Sequence, residues 1–228
     1  ILYAMELTKE QLLQIDNYIF SCGIKFIDIR AEIVDHFANI LEQKLEENPT
    51  LNFKQEIINI HKNFSENGFK KLLKEKTKSV QKRFYKASLK HLITFFRFPK
   101  IIVSGGFFYF LILIMNLVED KEVFFSILSF ILLFLGFRLL FNVNMRNSNK
   151  QTFLVLNMTL NFFNSFYLLV MIFNFSASHR IIGSFFNFTD NYIYLGIFTL
   201  LILFYWSGEY VYYQNKKEVI KQYPNLVV

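Results

Sequence analysis

Four long apolar segments limit the fold more than any other feature of the sequence. They cover residues 101–118, 123–141, 152–173 and 192–213. As α-helices rising 1.5 Å per residue, segments of roughly 18–22 residues are long enough to cross the ~30 Å hydrocarbon layer of a membrane. Backbone amides find no hydrogen-bonding partner in lipid, and helices satisfy them internally. The sequence therefore predicts four transmembrane helices.

The composition agrees with a membrane protein. Hydrophobic residues make up 53% of the 228 residues and charged residues only 19%, which is too apolar for an ordinary soluble domain. The long apolar runs are concentrated after Pro99. Four such runs so close together leave too little polar surface for a soluble helical core.

A strongly basic stretch, the arm, precedes the apolar segments. Residues 70–100 hold eleven Lys or Arg and a single acid, Glu75, whereas residues 1–69 carry a net charge of −5. Basic residues beside a membrane helix favour the cytoplasmic side. The loop 142–151 and the tail 214–228 are basic as well. Both termini are therefore predicted to be cytoplasmic.

The arm is predicted to be a helix that contacts the membrane surface. Its lysines recur every four residues, so on a 3.6-residue helix the row winds slowly around the axis. Anionic lipid head groups attract such cations by about 1 kcal/mol per residue. The predicted contacts are Lys74, Lys78, Lys82, Arg83, Lys86 and Lys90. Docking on an acidic head, its own or a neighbour's, is an alternative. Nucleic-acid binding is the weakest interpretation, because no recognition motif accompanies the charge.

Polar residues inside the apolar segments suggest contacts between helices. Asn157, Asn161 and Asn164 lie at i, i+4 and i+7 and share one helix face. Interhelical hydrogen bonding is the favoured interpretation, with a polar path for an ion or small solute as the alternative. Arg138 and Glu209 are predicted to lie at the same cytoplasmic depth and to form an ion pair.

Residues 1–69, the head, are predicted to be a small domain of three helices. The first helix begins at a capping-box pattern of Thr8 and Gln11. The second covers about 28–47, with apolar residues on one stripe, and the third ends before Gly68. The outer surface of this domain is expected to be acidic.

The sequence offers no set of residues for catalysis, for a cofactor or for a metal ion. Asp35 and His36 with His61 are the nearest approach to a metal site, but adjacent residues face two directions on a helix. A partly buried histidine bonded to a neighbouring helix is the simpler interpretation. There is no Ser-His-Asp set, Gly-rich phosphate loop or pair of carboxylates in a pocket pattern. A protein without enzymatic activity is therefore predicted.

Two stretches of the head resemble a known family. The run Glu32-Ile33-Val34-Asp35-His36-Phe37, a polar turn, then Gln55-Glu56-Ile57 and an aliphatic stripe closing at Gly68 resemble the HAAS domain. Asn67-Gly68-Phe69 stands where that family usually has a Gly-Asp-Pro-like turn. The resemblance implies a small helical cytoplasmic module before membrane helices in a bacterial protein of the inner membrane, associated with signalling and transcriptional regulators. It implies no catalytic residues.

The whole sequence predicts an all-α protein with a three-helix cytoplasmic head, a long basic connecting helix over 70–100 and a four-helix transmembrane bundle. The favoured function is a non-enzymatic regulatory or adaptor protein whose head binds a protein partner. An accessory or structural subunit of a larger membrane complex is the alternative, and a small channel or transporter is a third hypothesis. A homo-oligomer is compatible with each of these functions.

Overall fold

The structure is a computed structural model in which residues 6–63, 68–144, 152–181 and 188–224 are described. These residues form eight α-helices and no strand, which confirms the predicted all-α class. In chain order the helices are α1 Lys9–Ser21, α2 Ile27–Glu47, α3 Phe53–Asn63, α4 Gly68–Thr94, α5 Lys100–Leu117, α6 Lys121–Asn144, α7 Leu154–Ile181 and α8 Phe188–Gln222.

The chain folds into two compact units. The first contains the described residues up to Val80 together with residues 152–155, and the second contains the described residues from Gln81 to 144 and from Leu156 onward. The division falls inside α4 and directly after the first residues of α7. Residues 152–155, which the sequence grouped with the third apolar segment, therefore belong to the unit that holds the head helices.

Local sequence signals set the ends of α1. Thr8 Oγ1 accepts a hydrogen bond from the Gln11 amide, and the Gln11 side chain accepts one from the Thr8 amide, which confirms the predicted capping box. Gly23 follows the helix with φ +95°, a left-handed conformation that suits glycine. Both ends of the helix thus follow from residues next to it in the chain.

The core of the first unit uses α4 as well as the three head helices. The buried apolar side chains of α1–α3 are Ile15, Ile19, Ile27, Ile29, Ile33, Phe37, Ala38, Leu41, Leu45, Ile57 and Ile60. Phe69, in the first turn of α4, is 5% exposed and lies with its ring 4.3 Å from that of His61 and 5.9 Å from that of Phe37. The basic helix therefore begins as part of this core.

Helix α8 is the most enclosed helix of the second unit. About 61% of its apolar stretch is buried, against 44% for α7 and 17% for α5. Both α5 and α6 pack on α8. Ring contacts join α7 to it along its length, with Phe166 against Tyr205 at 5.7 Å and Phe173 against Tyr194 at 5.6 Å.

Three of the helices in the described part of the chain are long and apolar enough to cross a membrane. They are α5, residues 154–175 of α7 and residues 190–222 of α8. Large apolar side chains remain exposed on the outside of this unit, among them Tyr109, Phe110, Phe130, Phe134, Phe137, Leu168, Ile172, Ile193 and Leu200. Water would not tolerate so much exposed apolar surface, whereas lipid would cover it.

Helices α7 and α8 are longer than the apolar segments from which they were predicted. Helix α7 continues to Ile181 and α8 runs to Gln222, past the predicted segment end at Tyr213. Residues 214–222 contain neither Gly nor Pro, and Pro224 is the first residue that disfavours a helix. Apolar runs mark the part of a helix that lipid covers, and a helix can continue beyond it.

We predict that Gly208→Ala destabilises the second unit. A Cβ atom at Gly208 would lie 2.1 Å from Cε1 of Phe162, whose fully buried ring also packs against Phe84 and Phe204. Overpacking of this kind lowers the free energy of unfolding by about 1–3 kcal/mol. Thermal unfolding of the purified protein in detergent, followed by circular dichroism, measures the effect.

Gly196→Ala, in the same helix, is the matched control. No neighbouring atom lies within 4 Å of a Cβ at Gly196. The better helix propensity of alanine should then leave the stability unchanged or raise it by up to about 1 kcal/mol. Equal melting temperatures for the two variants would contradict the close approach of α7 to α8.

Candidate functional site

Helix α4 has a buried side and an exposed side within the second unit. Phe84 is 2% exposed and Ser88 is fully buried. The ring of Phe84 lies 5.7 Å from that of Phe162 in α7. This half of the basic helix is therefore packed against the second unit along one side.

Tyr85 ties α4 to the backbone of α7. Its hydroxyl donates to the Asn161 carbonyl oxygen at 3.0 Å and lies 2.5 Å from Ser165 Oγ, which itself bonds that carbonyl at 3.2 Å. The hydrogen bonds and the buried Phe84 ring together fix which side of α4 faces inward. This contact could not be predicted from the sequence, because a tyrosine in a lysine-rich helix is expected to face solvent.

Ring contacts join this part of the chain to α7 and α8. In α4, Phe84 lies against Phe162 of α7, and His91 stacks on Tyr210 of α8 at 3.9 Å. Phe95, directly after α4, lies 6.4 Å from Trp206 of α8. The end of α4 is therefore in contact with α8 near Trp206 and Tyr210.

The predicted lipid-contacting cations are all exposed. They are Lys74 and Lys78 in the first unit and Lys82, Arg83, Lys86 and Lys90 in the second. Large apolar side chains are exposed between and beyond them, with Leu89 at 48%, Ile93 at 52% and Phe96 at 49%. The exposed side of α4 therefore mixes cations with apolar groups, a composition typical of helices lying in a membrane interface.

One arm lysine outside the predicted set is bound to the head. Lys76 Nζ forms an ion pair with Glu32 of α2, within the first unit. Both side chains are largely exposed, so the pair contributes little stability. Docking of the basic helix on its own acidic head is thus seen at Lys76.

Asp28 caps the start of α7. Its Oδ1 accepts from the Leu154 amide at 2.9 Å and its Oδ2 from the Val155 amide at 3.2 Å, all within the first unit. The Ile27 amide donates to the Thr152 carbonyl at 3.0 Å in the same region. A carboxylate at a helix N-terminus satisfies free amides and complements the helix dipole. The first turn of α7 is therefore bonded to the start of α2.

Sequence analysis missed the Asp28 cap because its partners are far away in the chain. Asp28 lies more than a hundred positions before Leu154 and reads locally as an acidic residue in the first turn of α2. One signal was present: the residue before Leu154 is Phe153, which cannot cap a helix with its side chain. The first amides of α7 are therefore left for another part of the chain to bond.

His61 takes part in a polar contact between head helices. Its Nδ1 lies 2.6 Å from the Tyr18 hydroxyl of α1 and 3.9 Å from Cys22 Sγ. Burial raises the pKa of Tyr18, and Cys22 adds to the shift. A hydrogen-bonded histidine was the favoured interpretation, and it is confirmed for His61. Among the described residues no cluster of His, Cys, Asp and Glu could hold a metal ion.

A second buried polar contact joins α2 to α3. Glu56 is 7% exposed and forms an ion pair with Lys44, and its Oε2 accepts from Asn59 Nδ2 at 3.0 Å. Hydrogen bonds from Lys44 and then Asn59 lower the pKa of Glu56. This buried carboxylate is satisfied by structural partners, which makes it a poor candidate for acid–base chemistry.

The polar residues of the apolar segments differ in their exposure and in their hydrogen-bonding partners. Asn157 and Asn161 are half-buried, and Asn164 is exposed. Asn161 Nδ2 lies 3.5 Å from Met158 Sδ of its own helix. Arg138 Nη2 donates to Glu209 Oε1 at 2.8 Å, which joins α6 to α8 as the predicted ion pair.

Comparison with known proteins adds no relative. No protein-family model matches the chain, and neither a curated protein nor a solved structure shows significant similarity to it. The resemblance of the head to the HAAS domain therefore stays a prediction. The candidate site rests on the geometry of α4 and of the Asp28 cap.

We predict that Asp28→Ala frees the first turn of α7. Loss of an N-terminal cap costs about 0.5–2 kcal/mol, which corresponds to roughly a tenfold faster opening of the capped amides. Hydrogen–deuterium exchange at Leu154 and Val155 in the full-length protein measures this directly. Asp28→Asn keeps a neutral acceptor and should have an intermediate effect.

Asp35→Ala is the matched control for the Asp28 cap. Asp35 belongs to the same helix, and its side chain is exposed. Exchange at Leu154 and Val155 should be unchanged in this variant. If Asp28→Ala leaves both amides as protected as in the parent protein, Asp28 does not hold α7.

Proposed function

We propose that the chain is a non-enzymatic regulatory or adaptor protein of the bacterial inner membrane. In this proposal the first unit is a cytoplasmic interaction module, and α4 lies at the cytoplasmic membrane surface. The second unit anchors the module through four membrane-spanning helices. The two different sides of α4 carry the proposal. Its inner side packs on α7 through Phe84 and Tyr85 and on α8 through His91, and its outer side presents cations and apolar groups.

The level at which the end of α4 contacts α8 supports a place in the membrane interface. The contact lies near Trp206 and Tyr210, which are 40% and 45% exposed. Exposed Trp and Tyr are enriched where the hydrocarbon meets the head groups. Arg138 and Glu209 pair close to this level, where long charged side chains can reach water. We therefore place α4 along the bilayer surface at this level.

The exposed side of α4 favours lipid over nucleic acid as its partner. A phosphate backbone is bound by cations and gains nothing from isolated large apolar groups. An anionic leaflet attracts Lys82, Lys86 and Lys90, and its acyl region accepts Leu89 and Ile93. Exposure of both kinds of side chain on one helix therefore supports lipid as the partner.

The exposed surface of α6 supports a fourth membrane span. Phe130, Phe134 and Phe137 are 69%, 61% and 64% exposed at a helical spacing. Three charged residues in its described part, Lys121 and Glu122 at one end and Arg138 toward the other, lie where a span would place them, near the two boundaries. Four spans return the chain to its starting side, which agrees with a basic arm and a basic region after Tyr213.

A groove on the head supports an interaction role. It lies between α1 and α2, has a volume of about 530 Å³ and is lined by Lys9, Leu12, Leu13, Asp16, Ala31, Val34, Asp35 and Ala38. Leu13 is 59% exposed in it. An apolar floor on an otherwise acidic module is a suitable surface for a helix of a partner protein.

An accessory subunit of a larger membrane complex is the second candidate function. It is favoured by α5, the least buried of the candidate spans, where Gly105 and Gly106 have open space around them. Small residues on an exposed membrane helix allow another helix to approach closely. In such a complex, the partners would be integral membrane proteins bound at α5.

Cysteine labelling is the experiment that tests the membrane arrangement. In a Cys22→Ser background we predict that Lys86→Cys and Lys217→Cys react with a membrane-impermeant maleimide only from the cytoplasmic side, and Glu119→Cys only from the other side. All three parent side chains are exposed. Labelling of intact spheroplasts and inverted vesicles gives the comparison.

The Lys217 position separates three spans from four. With three spans, Lys217→Cys would react from the side opposite to Lys86→Cys. Detergent-solubilised protein, in which all three cysteines should react, is the control for accessibility. Equal labelling of Lys86→Cys and Glu119→Cys from one side would overturn the membrane arrangement altogether.

Co-purification tests the adaptor role against the subunit role. After gentle detergent extraction, we expect a soluble partner that is bound by the parent protein and lost on Leu13→Glu, because the new charge enters the apolar groove. Gln14→Glu adds the same charge on an exposed neighbour outside the groove lining and should retain the partner. Integral partners in stoichiometric amounts, unaffected by Leu13→Glu, would instead favour the subunit role.

A further inference from the structure

The turn between α4 and α5 is held in a defined conformation. We call residues 94–100 the corner. Ser104 Oγ of α5 donates to the Phe95 carbonyl at 2.7 Å, and Thr94 Oγ1 donates to the His91 carbonyl at 2.7 Å. The backbone continues in turns, with the Ile101 amide bonded to the Arg97 carbonyl at 3.0 Å. The backbone of the corner is therefore held by hydrogen bonds.

Lys100 is positioned by two contacts of its own. Its Nζ donates to Thr94 Oγ1 at 3.2 Å and lies 5.2 Å from the centre of the Phe95 ring. An ammonium group has three donors, so two stay available for another acceptor. Arg97, three positions earlier, is also exposed. Two exposed cationic residues thus lie three positions apart in the corner.

The positive charge of the corner is not balanced by the described part of the protein. No carboxylate among the described residues forms an ion pair with Lys100 or Arg97, and the only acid from 70 to 100 is Glu75. Burial lowers the pKa of His91, and the charge of Lys100 lowers it further. An anion bound here would complement a local excess of positive charge.

The length of α5 gives the depth of the corner. Helix α5 begins at Lys100, ends at Leu117 and has 18 residues, which correspond to about 27 Å. This nearly equals the hydrocarbon thickness, so Lys100 lies at one boundary of the hydrocarbon, where phosphate groups begin. Trp206 packs against Phe95 and Phe107 at the same level, as expected for an interfacial tryptophan.

We propose that the corner is a discrete binding site for the phosphate group of an anionic phospholipid, with Lys100 and Arg97 as its donors. The exposed Phe96 and Ile101 beside these cations lie where the acyl chains of that lipid would pack. The site deepens the proposed membrane-surface role of α4 and rests on it. It differs from diffuse attraction along α4 because Lys100 is held in place by Thr94 and Phe95.

Trp206 is a native reporter of this site, because it is the single tryptophan of the chain and touches Phe95. The test titrates the purified protein in neutral detergent with phosphatidylglycerol carrying brominated chains, which quench tryptophan fluorescence on contact. Brominated phosphatidylcholine is the zwitterionic comparison. We expect half-quenching at about a thirtyfold lower mole fraction of phosphatidylglycerol, the preference that two basic residues can supply.

Two pairs of substitutions distinguish the site from general charge. Arg97→Gln with Lys100→Gln should abolish the preference, whereas Lys100→Arg with native Arg97 should keep it. Lys70→Gln with Lys71→Gln removes the same charge from exposed positions of α4 outside the predicted lipid contacts and should leave the preference within about twofold. If the first pair fails to fold by circular dichroism, Arg97→Gln alone serves, and full retention of the preference in it contradicts the proposal.

The remaining outcomes separate the site from the proposed function. Equal quenching by both lipids overturns the site and leaves membrane anchoring intact. Quenching by neither lipid means that Trp206 is not at the lipid surface, which overturns the membrane placement as well. Competition by soluble glycerol phosphate at similar concentrations would identify an anion site independent of the bilayer and would overturn phospholipid as the ligand.

Discussion

The packing of α4 across α7 and α8 is the interaction on which the rest of the second unit's functional surface depends. Phe84 is buried against Phe162, and the Tyr85 hydroxyl bonds the backbone of α7. These contacts fix the rotation of α4 about its own axis. The lysines and the arginine of this part of α4 lie on the opposite side of the helix and are therefore exposed. Without these contacts, nothing would determine which side of α4 is buried and which is exposed.

The same packing brings aromatic side chains together at one level of α8. His91 stacks on Tyr210, and Phe95 lies against Trp206, so polar-tipped rings gather where the end of α4 contacts α8. Just beyond that contact, Ser104 and Lys100 hold the corner into α5. In the first unit, Asp28 supplies the cap that α7 lacks locally. Each of these contacts joins residues that are far apart in the sequence, or residues that are close in the sequence but that helix propensity does not pair.

Features with a local physical cause could be predicted from the sequence. The capping box of Thr8 and Gln11 involves neighbours three positions apart, and it forms as expected. The pairing of Arg138 with Glu209 joins two helices, yet it could be predicted from position within the apolar segments alone. Both charges lie near the C-terminal ends of their segments. By contrast, the bonds of Tyr85 and Asp28 depend on how helices are placed in space. Nothing in their immediate neighbours indicates a distant backbone partner.

The sequence by itself determined the helical class, the apolar segments and the concentration of positive charge in one stretch, because hydrophobicity, helix propensity and net charge are sums over neighbouring residues. Only the tertiary structure decided which side of α4 is buried, which carboxylate caps α7, and that Lys100 is held at the corner beside Phe95. The first two outcomes depend on packing and hydrogen bonding between residues far apart in the chain, and the third depends on how the chain turns between α4 and α5. The sequence gives the order of charged and hydrophobic residues along the chain. The fold determines which of them share a surface and which side of a helix is exposed.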